Sequence, residues 1–171
     1  MKLSVKEITI FSFLAAIMYV SKIIMEFLPN IHLIGVFVIS ITVVYRKKAL
    51  YPIYIFVMIT GLFSAFSTWW IPYLYIWTIL WALVMLLPQN INSYFKPLVY
   101  MILCSLHGLF YGILYAPVNM IIFNMSFKGI IAWIAAGFFW DIMHAVGNFI
   151  CGALICPIIK AIKLGEKYTS R

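Results

Sequence analysis

Asp141, His144 and Asn148 are three polar residues in an otherwise apolar stretch, Phe139-Trp140-Asp141-Ile142-Met143-His144-Ala145-Val146-Gly147-Asn148-Phe149. Their i, i+3, i+7 spacing puts them on one face of a helix. A carboxylate, an imidazole and an amide in a row can hold a ligand by charge and hydrogen bonds, or pass a proton. Asp141 is the only acid between Glu26 and Glu166. In a membrane helix an ionised group costs about 2.5–3.5 kcal/mol at mid-span, and such groups face a cavity or a partner. The same face could instead lock helix packing, Asp with His and Asn with a neighbouring backbone.

Other side chains suit the same chemistry. Tyr73, Trp77 and Trp81 recur every four residues and make one aromatic stripe, fit for stacking on a flat ring, for cation–π contact, or for packing. Trp69 and Trp70 stand at an outer turn, where an interfacial belt is the alternative. His107 lies mid-helix with Tyr111 one turn on, and Gly108 and Gly112 form a G-x-x-x-G that lets helices approach closely. Glu26, Asn30 and His32 flank the first outer turn, and Asn119 and Asn124 sit in the last outer segment. These could close over a ligand or be hydrated turn residues. The expected substrate-binding set is Asp141, His144, Asn148, Trp140, Trp70, Tyr73, Trp77, His107, Asn119 and Asn30.

The elements that must position these residues are membrane helices. The chain has 171 residues, 66% hydrophobic and 9% charged, against about half and a quarter in soluble domains. No cleavable signal is expected, because the first apolar run is too long and no small-residue cleavage site follows. Apolar runs bounded by basic residues, prolines and polar turns predict an all-α bundle forming a single integral-membrane domain. Its helices cover about residues 8–27, 31–45, 49–66, 72–87, 97–115 and 138–162. The stretch 118–137 reads as an outer loop, partly helical, dipping onto the bundle.

The net charge of +8 could suggest nucleic acid, but the basic residues gather at the ends of apolar runs. Lys2, Lys6, Arg46, Lys47, Lys48, Lys96, Lys160, Lys163, Lys167 and Arg171 fall on one side of the six-span reading, and Lys22 and Lys128 on the other. The positive-inside pattern then puts both termini in the cytoplasm of a multi-pass protein of the bacterial plasma membrane. With Lys160 as the inner edge of the last helix, Asp141 falls at the outer boundary and Asn148 about 10 Å deeper. That is a pocket open to the exterior.

Several chemistries lack their motifs. No Walker G-x-x-x-x-G-K-[ST], H-E-x-x-H or G-x-S-x-G occurs, and the four acids are scattered. Cys104, Cys151 and Cys156 lie inside apolar runs without zinc-ligand spacing and read as small packing residues. Neither a metal nor a cofactor is expected, and the chain points to binding rather than catalysis.

The motif Phe139 to Asn148, the stretch Gly108-Leu109-Phe110-Tyr111-Gly112-Ile113-Leu114-Tyr115-Ala116, the length, the six spans and a small-residue seam on helix 1 together resemble the substrate-binding S components of energy-coupling factor (ECF) transporters. The resemblance implies a subunit that captures a vitamin or cofactor precursor from outside. It would work with a transmembrane coupling protein and two ATPase subunits. The family's alanine-x-x-x-alanine-like docking seam maps onto Ser12, with Ala15 beside it, and Ala16; the serine departs from the usual alanine. Outer loops one, three and five would cover the ligand. The aromatic stripe, an acid and a histidine suit a flat, nitrogen-containing ring that can carry positive charge. Two other readings stand beside this one: a stand-alone proton-coupled carrier or small membrane enzyme using Asp141, His144 and His107, and a structural subunit without a ligand.

Overall fold

The computed structural model describes residues 3–168. Lys2 and Arg171, counted above among the basic residues, lie outside them. The described chain folds into helices α1 (Val5–Ile24), α2 (Ile34–Tyr45), α3 (Leu50–Ser64), α4 (Tyr73–Leu86), α5 (Lys96–Leu109), α6 (Tyr111–Ile122), α7 (Phe127–Gly152) and α8 (Ile155–Tyr168), with a 3-10 turn at Arg46–Ala49.

Among the described residues, three helical stretches are long and apolar enough to cross a membrane: Val5–Ile24, Lys96–Ile122 (α5 with α6) and Phe127–Gly152. α1 starts at a capping box in which the Ser4 hydroxyl accepts the Glu7 N–H and the Glu7 carboxylate accepts the Ser4 N–H. That local exchange satisfies two orphan donors and starts the helix ahead of the expected residue 8. α2 is the centre of the bundle. Every residue from Ile34 to Thr42 is buried, as a helix apolar on all sides must be. It packs on α4 and α8, with further contacts to α1, α5 and α7. Its buried Ser40 and Thr42 hydroxyls donate to carbonyls one turn back, at 2.8 and 2.6 Å, so no polar atom of theirs is stranded. α2 ends where Arg46 takes a left-handed φ of 53°.

The second half of the chain departs from the sequence reading in two places. Residues 118–137 are not a loop. α6 continues through Pro117 to Ile122, and α7 starts at Phe127, where the Ser126 hydroxyl accepts the Gly129 N–H at 3.1 Å. A proline inside a helix forfeits one hydrogen bond, but in apolar surroundings the remaining backbone groups have no better partner than the helix itself. The expected helix 138–162 is likewise two helices, α7 and α8, separated at Ala153–Leu154. Pro157 has no N–H for the Ala153 carbonyl and its ring crowds that carbonyl. It sits instead in the first turn of α8, where a proline is harmless.

α5 and α6 run antiparallel to α7, and this is the largest helix–helix contact in the fold. Gly108 explains how close it is. A Cβ there would lie 2.8 Å from Asn148 Nδ2, 3.0 Å from the His144 carbonyl and 3.1 Å from the Ala145 nitrogen. At the chain's two ends, Lys6 pairs with Glu166 at 3.1 Å, Glu7 pairs with Lys48, and the Tyr45 hydroxyl donates to Glu166 at 2.7 Å. The first turn of α1, the end of α2 and the last turn of α8 therefore share one end of the bundle. The loop between α1 and α2, with Asn30 and His32, is at the other end.

Candidate functional site

Asp141, His144 and Asn148 do share one buried face of α7, at 7%, 2% and 1% exposure. Their depth differs from the expectation. Because α7 starts at Phe127, Asp141 is near the middle of the helix rather than at its outer boundary.

Each of the three has its own task. The Asp141 carboxylate accepts the Gly112 N–H at 3.0 Å. In an unbroken helix that N–H would bond to the Gly108 carbonyl. Here α5 ends at Leu109 and α6 starts at Tyr111, so Gly112 is in the first turn of α6 and its N–H is one of the orphan donors of a helix start. Asp141 caps α6 from the neighbouring helix, and its negative charge complements the helix dipole. Any Cβ at Gly112 would come within 2.4 Å of that carboxylate. Asn148 donates to the Cys104 carbonyl at 3.1 Å and ties α7 to α5. Part of the polar face is therefore the helix lock weighed from the sequence.

His144 belongs to something else. Its ring lies 4.7 Å from that of His32 and 4.7 Å from that of Tyr111, both nearly edge-on. His32 lies 6.1 Å from Trp77, and Trp77 lies 5.5 Å from His107 and 5.5 Å from Tyr73. Tyr111 also touches Tyr115, at 4.9 Å. All three histidines of the chain thus meet in one set of rings drawn from the first loop, α4, α5, α6 and α7. No set of three or more His, Cys, Asp or Glu side chains among the described residues is arranged to hold a metal ion.

The hydrogen bonding of these rings is incomplete in a patterned way. Among the described residues the buried side-chain polar atoms without a partner are His32 Nδ1, Trp77 Nε1, His107 Nδ1, His144 Nε2 and Asn148 Oδ1. Every one belongs to this cluster or to Asn148, one turn along α7 from His144. Buried polar groups are paired in at least about nine cases of ten, and each left alone costs about 1–3 kcal/mol. His107 shows the chemistry on offer. Its Nε2 is 3.1 Å from the Ile76 carbonyl, which can only accept, so Nε2–H donates and Nδ1 of a neutral ring is an acceptor. Trp77 Nε1 can only donate. The cluster presents donors and acceptors together.

A cavity of about 300 Å³ opens onto this cluster. Its walls are His32, Tyr73, Tyr111, Tyr115 and His144, and Lys22, Glu26 and Asn30 are at the rim. Lys22 and Glu26 face each other at 3.8 Å. Asn30, in a left-handed conformation with φ 57°, donates to the Trp140 carbonyl at 3.4 Å and fastens the loop to α7. Trp77 and His107 do not line the cavity but belong to the ring set that includes its wall residues. A second cavity of about 250 Å³ lies beside Asp141 and Trp140, walled by Trp133 and by the far faces of Tyr111 and Tyr115. Those two tyrosines stand between the cavities.

The structure therefore gathers Tyr73, Trp77, His107 and His144 into one cluster and puts Asp141 and Trp140 at the neighbouring cavity. It leaves three expected residues apart: Asn148, which lines neither cavity, and Trp70 and Asn119. Trp70 donates to the Val57 carbonyl at 2.8 Å and packs on Phe66. Its neighbour Trp69 is the one that touches Tyr73, and its carbonyl accepts the Tyr115 hydroxyl at 2.9 Å. Asn119 is half-buried on α6 and lines neither cavity. Tyr115 was not singled out from the sequence, although Tyr111 and Tyr115 repeat the same i, i+4 signal as the stripe on α4. On α1, Ser12 and Ala16 face outward while Ala15 is fully buried, so Ala15 belongs to the core rather than to an outer seam. No protein-family model, curated protein or solved structure matches the chain.

Proposed function

We propose that this chain is the membrane-embedded substrate-binding subunit of an ECF-type importer. It spans the bacterial plasma membrane six times with both termini in the cytoplasm, the shorter α2, α3 and α4 included. It takes a vitamin or cofactor precursor into the cavity bounded by His32, Tyr73, Tyr111 and His144. The observation that carries this reading is an aromatic-walled cavity lined by His32 and His144, each of which has a buried ring nitrogen without a partner. A flat nitrogen heterocycle with donors and acceptors on its rim would pair with the two histidines, while its faces stack on the tyrosine rings. The volume is at the lower end of the range for small-molecule sites, about 300–1,000 Å³.

The remaining parts follow from the same reading. In an ECF-type importer the energy comes from two ATPase subunits through a coupling protein, and the chain itself carries no Walker-type loop. The outward pair Ser12 and Ala16 on α1 is the docking face for that coupling protein, since small side chains let a partner helix approach closely.

Uptake assays test the proposal. Cells expressing the chain together with the coupling protein and ATPases should accumulate the cargo, and Ala16→Trp should abolish uptake while cargo binding by the purified chain persists. Uptake by the chain alone, in vesicles that lack any ATPase, would overturn the importer reading in favour of a stand-alone carrier.

A further inference from the structure

The opposite end of the bundle carries a second polar cavity, of about 310 Å³, that the substrate site does not use. Arg46, Lys96 and Lys163 line it, with Gln89 and the buried Tyr100. The three cations come from different elements: the turn after α2, the start of α5 and the body of α8. Helix packing has brought them together.

Among the described residues no acid lines this cavity. The protein has four acids, and each is engaged elsewhere. Glu7 pairs with Lys48, Glu166 with Lys6 and Tyr45, Glu26 with Lys22, and Asp141 caps the Gly112 N–H. Three like charges around one cavity repel each other, and an anion between them removes that repulsion. Arg46 is also held in place. Its Nη2 donates to the Met85 carbonyl at 3.2 Å, and its own carbonyl accepts the Trp81 indole N–H at 3.0 Å. The remaining walls, Val43, Val84, Leu87 and Pro88, are apolar. Exposed Leu83, one helical turn from Leu87 on α4, continues that apolar surface along the helix away from the charges.

We propose that this cavity binds a phosphate-bearing anion, and that its source is the headgroup of an anionic phospholipid whose acyl chains lie along α4. Basic pockets between helices at a membrane boundary hold such headgroups by charge and by donors to the phosphate oxygens. Arg46 supplies a planar fork, Lys96 and Lys163 supply mobile point charges, and Gln89 and Tyr100 can donate to the remaining oxygens. The inference is independent of the cargo site and survives if that reading fails.

The test is native mass spectrometry of the purified full chain with phosphatidylglycerol or phosphatidylcholine of matched acyl chains. The native protein should retain phosphatidylglycerol preferentially. Lys96→Gln and Lys163→Gln should each cut that preference about fivefold, and the double variant should lose most of it. Lys128→Gln, in the first turn of α7, should leave it unchanged. Arg46→Gln is a weaker test because Arg46 also holds the turn, so the lysine variants decide. Equal retention of the two lipids by the native chain, or an unchanged preference in the double variant, overturns the proposal. Displacement of the lipid by millimolar inorganic phosphate would overturn the lipid as the source.

Discussion

The two ends of the bundle hold polar cavities of nearly equal size that differ in what each leaves uncompensated. At the end with the first loop, the cavity of about 300 Å³ meets rings whose nitrogens lack partners. At the other end, the cavity of about 310 Å³ meets three cations without a carboxylate. Directional donors and acceptors, desolvated and held by packing, recognise a ligand by shape and hydrogen-bond pattern. Solvated charges recognise little beyond sign, and salt weakens them. On the proposed reading the first cavity is the selective one and the second the permissive one, and what separates them is the burial of the groups, not the volume of the hole.

The largest expected effect comes from prying apart the helices that assemble the ring cluster. Gly108→Val would drive a branched side chain into the α7 backbone, where even a Cβ finds the His144 carbonyl at 3.0 Å. We expect a loss of about 1–3 kcal/mol of stability and loss of the ring cavity together, read by thermal unfolding and by cargo binding. Gly137→Ala is the control, since a Cβ there meets nothing within 4 Å. Its melting should stay within about 0.5 kcal/mol of native, and a drop as large as that of Gly108→Val would break the packing account.

Salt sharpens the comparison with a smaller effect. Raising ionic strength from about 0.1 to 1 M shortens the screening length from roughly 10 to 3 Å. Lipid selection at the Arg46 cavity should fade under that change, while cargo affinity at the His144 cavity should hold. Equal sensitivity at both ends would dissolve the distinction.

The smallest effect concerns the ion cluster that joins the chain ends. The Tyr45 hydroxyl, and Lys6 with it, holds the Glu166 carboxyl below the usual glutamate range. Its folded-state pKa is depressed, so its contribution is complete above the ordinary value of 4.5 and is lost as pH falls through the lower folded value. The pair is partly exposed, so Glu166→Gln should cost under about 1 kcal/mol at neutral pH and should flatten the acid limb of a stability–pH profile. An unchanged acid limb would show that the cluster adds nothing.

How much of this was legible in the sequence depends on the range of each interaction. The shared face of Asp141, His144 and Asn148 follows from helical spacing alone, and so does the close approach allowed by Gly108. The Tyr73–Trp77 stripe is equally local, and both residues turn inward. The break at Phe110 falls between Gly108 and Gly112, which weaken a helix locally but also fit a close helix crossing, so the sequence alone does not tell a break from a seam. The partner that satisfies the Gly112 N–H at this break is Asp141, almost 30 positions away. The start of α7 did have a signal in Ser126, which was obscured by reading Lys128 and Gly129 as loop residues. Pro157 was visible too, but a helix drawn straight through it hid the boundary between α7 and α8. The meeting of His32, His107 and His144 is a tertiary fact that no spacing encodes.

The central claim is that this ring cluster holds a small molecule, and the most direct measurement is mass spectrometry of what the purified protein releases on denaturation. The native chain should yield a planar nitrogen heterocycle in about stoichiometric amount, and His144→Ala should fold normally but yield little of it, since a lost buried hydrogen-bond partner weakens binding by about 1–3 kcal/mol. A native protein that releases no such molecule, or a His144→Ala protein that releases as much as the native one, would contradict the account.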